Sequence, residues 1–177
     1  MCRFLVLFVG VGIGLYPVTI HSSLVGIIIE DDMDKLIATL KRHEGVKTHA
    51  YKDSLGVWTI GCGRNISNSA KHHGLGISED EIDYMLQNDI DRTIKELSRE
   101  YEWFNELEEG ARRDAIINMH FNLGRARFAG FKKAIGHMEK GDHDLASVEF
   151  LRSKWARQVK GRALEVTDMI KTNTYAG

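Results

Sequence analysis

One proline, Pro17, is all that the 177 residues contain, so beyond it no ring breaks a helix. Cysteine is almost as scarce. Cys2 and Cys62 are too few and too far apart for a disulfide framework or a zinc site. No His-x-x-x-His or Cys-x-x-Cys spacing occurs, His72-His73 reads as a loop pair, and the eight histidines read mostly as surface residues. No metal and no cofactor are therefore expected. An excess of one charge is missing too: 24 Lys and Arg face 25 Asp and Glu, for a net charge of -1. That balance argues against a protein that holds nucleic acid through its overall field. Repeats and low-complexity segments are absent after residue 30.

What is present is unevenly placed. From Ala111 onward there are 13 basic and 7 acidic residues, against 10 basic and 18 acidic from Glu30 to Gly110. Either the second half forms a basic lobe suited to an acid-bearing substrate, or these are scattered solvated helix faces. The length is sufficient for one domain with its own core plus a short appendage, divided as residues 1–30 and 31–177.

The appendage is apolar almost throughout residues 4–29, with Arg3 before it and Glu30-Asp31-Asp32 after it. A positive start and an acidic exit orient such a segment with its N-terminus in the cytoplasm and the body outside. Residues 4–20 would span about 26 Å as a helix, slightly short of a ~30 Å hydrocarbon core. Two readings stay open: a cleaved signal peptide, and a retained anchor of weak hydrophobicity. The sites around His21-Ser22-Ser23 and Leu24-Val25-Gly26 are poor for cleavage, which favours retention. Gly10, Gly12 and Gly14 lack the spacing of a phosphate loop and make only a weak G-x-x-x-G packing pair.

From Asp32, a candidate N-cap, the pattern becomes helical through Met33, Leu36, Ile37 and Leu40. Continuing that apolar stripe by four residues reaches Glu44. A carboxyl on the core-facing side is partly desolvated, the setting in which a general acid keeps its proton. Lys52-Asp53-Ser54-Leu55-Gly56 is turn chemistry, and Val57-Trp58-Thr59-Ile60 is strand-like. Alternation puts Trp58, Ile60 and Cys62 on one face and Thr59 on the other, toward the Asp53 turn. Gly61 and Gly63 leave room for a close approach.

Ser78 to Glu81 is a capping box that opens a long helix joining a small, partly β lobe to a larger helical one. Helices are expected through Ala111–Leu123 with Gly124 as C-cap, over 131–140, from Asp142 through Leu145, Val148 and Leu151, and at the C-terminus through Leu164, Val166 and Ile170.

The order Glu44, Asp53, Thr59 resembles the catalytic signature of the phage-type lysozymes, glycoside hydrolase family 24. Tyr51-Lys52-Asp53, Gly56, Thr59-Ile60-Gly61-x-Gly63, Arg112-Arg113-x-Ala115-x-x-Asn118-Met119, Phe121-x-x-Gly124, Ala129-Gly130-Phe131 and Ser153-x-Trp155 are similar to the family's pattern over about residues 33–175. The resemblance implies an α+β, mostly helical, two-lobed fold. It also implies a muramidase that hydrolyses the β-1,4 bond between N-acetylmuramic acid and N-acetylglucosamine in peptidoglycan. Glu44 would be the general acid, and Asp53 with Thr59 would hold the attacking water. Inversion then requires carboxyls about 6.5–9.5 Å apart. Phe121 and Asn122 would face the site across the cleft, and Arg162 matches an arginine able to pair with the acid. Arg64 stands where many relatives have histidine, and Asn122 where some have glutamine. A non-catalytic wall-binding module and a permanently tethered interaction protein are the competing readings.

The apolar segment resembles the signal-anchor-release segments of some endolysins. That implies contact with the host export machinery and inner membrane through residues 4–29, then a monomeric periplasmic enzyme that lyses the host. Cys62 is expected as a buried thiol, with pairing to Cys2 after release as the alternative.

Overall fold

The computed structural model describes residues 5–10, 15–20, 22–67 and 76–175. Cys2, Gly12, Gly14, His21 and His72-His73, with the readings placed on them, lie outside the described residues. The chain divides into two compact units, Met1–Lys35 and Leu36–Gly177.

In the first unit, residues 5–10 and 15–20 are strands and not parts of the single apolar helix expected over 4–20. Strand β1 (Leu5–Gly10) pairs antiparallel with β2 (Leu15–Ile20), in a register that runs from Leu5 opposite Ile20 to Gly10 opposite Leu15. The composition accounts for this. Val6, Val9, Val18, Thr19 and Ile20 favour an extended backbone, while Gly10 and Pro17 weaken a helix interior. Helix α1 (Ser22–Glu44) then starts ahead of the anticipated cap at Asp32, since no proline lies between Ser22 and Asp34 and the single Gly26 does not stop it. Among the described residues no helix is long and apolar enough to cross a membrane.

The second unit begins within α1. Leu36 and Leu40 are fully buried, so the stripe that leads to Glu44 faces the core as its period requires. A three-stranded antiparallel sheet follows, in the order β3 (Lys47–Lys52), β4 (Trp58–Gly61), β5 (Arg64–Asn65). In β4, Thr59, Ile60 and Gly61 are buried and Trp58 is half-buried, with the Lys52 ammonium 5.6 Å from its ring centroid. Gly61 adopts φ +64, and a Cβ there would lie 3.3 Å from the Met85 side chain, so only glycine lets the strand close on the next helix.

That helix, α2 (Glu79–Glu100), joins the two lobes. Its N-terminus carries the complete capping box between Ser78 and Glu81, and it buries Ile82, Leu86, Ile90, Thr93 and Leu97. The helical lobe contains α3 (Glu102–Glu106), α4 (Ala111–Leu123), α5 (Arg125–Phe128), α6 (Lys132–Met138), α7 (His143–Leu151), α8 (Lys154–Val159) and α9 (Gly161–Thr172). Its core is an aromatic cluster: Phe128, Phe131 and Phe150 pack with centroids 5.5–6.5 Å apart, and Trp155 meets Phe131 edge-on.

Both expected C-terminal helices are present, but not all the apolar residues that mark them in the sequence are buried. On α7 the buried side is Ala146, Ser147 and Phe150, while Leu145, Val148 and Leu151 are exposed. The Ser147 hydroxyl donates to the Thr167 carbonyl and turns that face toward α9. On α9, Leu164 is exposed, and Val166 and Ile170 are buried. Asp142 precedes α7 without a side-chain cap bond, whereas Ser153 caps α8 by accepting from the Ala156 amide at 3.1 Å.

Candidate active site

Glu44 is the last residue of α1, and its side chain is 19 % exposed. Three elements converge on it. From α9, Arg162 Nη1 donates to Glu44 Oε1 at 2.8 Å. From α4, Asn122 Nδ2 reaches the same oxygen at 3.4 Å. From the end of the sheet, Gly63, at φ +81, comes so close that a Cβ would stand 3.8 Å from Glu44 Oε2. The acid is therefore gripped through one oxygen, and the other faces a position that carries no side chain.

Both amides in this shell have fixed orientations. Trp155 Nε1 can only donate, and it gives its proton to Asn122 Oδ1 at 2.9 Å, which turns Asn122 Nδ2 toward Glu44. Arg162 likewise has only donors. Its Nε and Nη2 bind Asn118 Oδ1 at 3.1 and 2.9 Å, and Nη2 also reaches the Asn118 carbonyl at 3.3 Å. Arg162 is 8 % exposed at its side chain, so it is an internal brace rather than a surface charge.

Asp53 stands in the turn between β3 and β4. Its Oδ1 accepts from the amides of Leu55 and Val57, both at 2.8 Å, and its own amide donates to the Val57 carbonyl at 3.0 Å. The Gly56 amide closes the turn onto the Asp53 carbonyl at 3.0 Å, with Gly56 at φ +78. The turn-former reading and the functional reading of Asp53 are thus compatible, since the turn is what immobilises the carboxylate. Thr59 is buried, and its hydroxyl donates to the Val57 carbonyl at 3.1 Å, the acceptor that also serves the Asp53 amide. Tyr51 reports the electrostatics of the region. Burial first, then the charges of Asp53 and Glu44, push its hydroxyl above the ordinary value of 10.0.

Phe121 is not among the side chains on Glu44. It lines an adjoining cleft of about 340 Å³ with Gly63, Arg64, Asp89, Glu96 and His120. Asn122, the next residue, lines a second cavity of about 470 Å³ with Arg127, Lys154, Trp155 and Gln158. Open space therefore adjoins the groups on Glu44 in two places. Arg64, the departure from the family histidine, pairs with Asp89 through Nε at 3.0 Å and Nη2 at 2.6 Å, and also reaches the Met85 carbonyl at 3.2 Å. The strand end is thereby tied to α2.

Histidines needed correction most. His43 is 6 % exposed at its side chain and His120 is 3 %, not surface residues. His43 sits one residue before the acid, where α1 packs on α4 and α9, and the apolar period gives no sign of that. Sequence reasoning also passed over Glu165, and it quoted Asn118 only as part of a motif. Cys62 is a buried free thiol, and burial raises its ionisation above the ordinary 9.0. Among the described residues no group of His, Cys, Asp and Glu is arranged to hold a metal ion.

Comparison with known proteins gives this arrangement its family. The model of the phage lysozyme family matches residues 41–168. A probable T4-type lysozyme 2 of Dictyostelium discoideum is 28 % identical over 157 residues, covering 76 % of this chain and 92 % of the relative. An endolysin of Acyrthosiphon pisum secondary endosymbiont phage 1 is 27 % identical over 139 residues, covering 78 % and 89 %. The endolysin of Salmonella phage P22 is 31 % identical over 99 residues, covering 53 % and 64 %. With an α+β, mostly helical fold and a family match that takes in Glu44, Asp53, Thr59 and Arg162 alike, the chain belongs to the phage lysozyme family and is a glycosidase-type hydrolase.

Proposed function

We propose that the enzyme is a muramidase that cleaves the β-1,4 bond between N-acetylmuramic acid and N-acetylglucosamine in peptidoglycan, and that it lyses the host cell. The observation that carries this reading is the separate immobilisation of two carboxyls. Glu44 is held by Arg162 and Asn122 at the end of α1, and Asp53 by two backbone amides in the β3–β4 turn. Glu44 protonates the leaving oxygen. The Thr59 hydroxyl has committed its proton to Val57, so toward a water it can only accept, as the Asp53 carboxylate does. A water that donates to both presents its lone pair to the anomeric carbon, on the face opposite the acid. The cavities beside Gly63 and Asn122 give the glycan room on either side of the scissile bond.

Glu44→Gln removes the transferable proton while keeping the shape of the group. Wall hydrolysis in that variant should fall by at least about 10³-fold with thermal stability unchanged, and the wild type should release the inverted anomer first. Full activity in the variant refutes the acid assignment; a retained anomer refutes the water step.

Delivery is a separate proposal: residues 4–29 take the enzyme to the inner membrane before it acts in the periplasm. Its support is the apolar run between Arg3 and Glu30-Asp31-Asp32. Fractionation of expressing cells should place the full chain with membranes first and in the periplasm later. A chain that is cytoplasmic throughout contradicts it.

A further inference from the structure

The ring of His43 lies inside a continuous line of hydrogen bonds that ends on the acid. Its Nδ1 is 3.2 Å from Asn118 Nδ2, and its Nε2 is 3.2 Å from Glu165 Oε2. Because Arg162 claims Asn118 Oδ1 with two donors, the Asn118 amide must turn its NH2 toward His43. His43 Nδ1 therefore has to accept and carries no proton. A neutral ring keeps its one proton on Nε2, where the Glu165 carboxylate receives it. Arg42 Nη1 lies 3.3 Å from Nε2 but already donates to Glu165 Oε2 at 2.9 Å, so it does not need the ring as an acceptor.

The groups that face this ring are known on every side among the described residues. On α1 it is Arg42, on α9 they are Arg162 and Glu165, and on α4 it is the uncharged Asn118. Buried at 6 % exposure, the ring has almost no water with which to replace a lost partner.

We propose that His43 is a positioning residue: its neutral ring, protonated at Nε2, holds Arg162 against Glu44 through Asn118, and a second proton on the ring releases that grip. An N–H at Nδ1 would point at the NH2 of Asn118. To accept it, the amide must rotate, which takes Oδ1 away from Arg162 Nε and Nη2 and leaves the backbone carbonyl, at 3.3 Å, as the acceptor Asn118 still offers Arg162. If instead the ring withdraws, Asn118 loses its second anchor. Either way the arginine that orients the acid loses its support, and activity falls on the acid side without any change in the carboxyls themselves. Burial first, and Arg162 second, hold His43 below its ordinary 6.5, so the grip persists through neutral pH and yields only on the acid side of that value.

The activity readout rests on the muramidase reading; the spectroscopic readout does not. In the intact protein, ring-nitrogen NMR should show the Nε2–H tautomer of His43 at pH 7.5, and the Arg162 Nε–H resonance should shift with the midpoint of His43. Wall hydrolysis by the wild type should fall about tenfold between pH 7 and one unit below that midpoint. His43→Asn places an amide oxygen near the Nδ1 position and cannot be protonated there, so the ratio of rates at the two pH values should flatten by at least about threefold. An Nδ1–H tautomer, an Arg162 signal indifferent to the His43 midpoint, or an unchanged acid limb in His43→Asn each overturns the proposal. Should that variant fail to fold, the two wild-type resonances decide alone. Absence of hydrolysis at every pH would count against the muramidase reading and leave the relay to be judged by the same resonances.

Discussion

Asn122 illustrates how much one proton donor can specify. Its short amide meets both the acid and Trp155 because the indole N–H selects which end of the amide faces Glu44. Trp155→Phe keeps most of the packing against Phe131 but removes that donor. The Asn122 amide then turns freely, and kcat should fall about tenfold with KM changed less than about twofold, the cost of one hydrogen bond felt in the transition state. Steady-state kinetics on solubilised wall fragments would read this directly, and an unchanged kcat would mean that the amide orientation is irrelevant. Arg64 makes the complementary point: a departure from the family pattern becomes a two-toothed bond to Asp89 and needs no histidine.

Elements differ in how far the sequence discloses them. Helices α2 and α4 were legible because their ends carry their own chemistry, the Ser78–Glu81 box and the Gly124 cap, and α2 also shows a full apolar period. Strand β3 was not, because Lys47, Thr48, His49 and Lys52 are exposed and leave no alternation to read. The faces of α7 and α9 could not be read from the apolar residues alone: Leu145, Val148 and Leu164 are exposed, whereas Ser147, Thr167 and Phe150 are buried. At the candidate site, Glu44, Asp53 and Thr59 were singled out by the apolar stripe, the turn and strand chemistry and the family resemblance together. His43, Asn118 and Glu165 could not be, because a hydrogen-bond line through three distant segments has no local period. Part of the apparent basic lobe also has internal work. Arg112 binds the Ile170 and Lys171 carbonyls, Arg113 lies 4.4 Å over the Phe104 ring, and Arg162 braces the acid.

Across the whole molecule, the buried histidines tie stability to pH. Burial is the first cause that holds His43, His120 and His143 below 6.5. The unfolded chain therefore takes up these protons first as pH falls. The stabilisation is complete above pH 6.5 and is lost as pH drops through the depressed folded values. Glu165, held below 4.5 chiefly by its bond to Arg42, adds a second loss at lower pH. His120 is the cleanest case, since its Nε2 has no hydrogen-bond partner among the described residues and the Glu96 carboxylate is 3.8 Å away. His120→Leu should shrink the drop in Tm between pH 7 and pH 5 by about 2–4 °C in calorimetric scans, and an unaltered drop would exclude His120 as a source.

The far end of the same helix pair has a mechanical consequence. Arg112 and Asn173 clasp the start of α4 to the end of α9, about 12 Å along the axis from Arg162. With that clasp as pivot, α9 is a lever, and a tilt of only about 5° would carry the guanidinium about 1 Å off its mark, a displacement able to cost on the order of 10²-fold in rate. The alignment of the acid is thus a tolerance set by two carbonyls and an asparagine at the opposite end of the bundle.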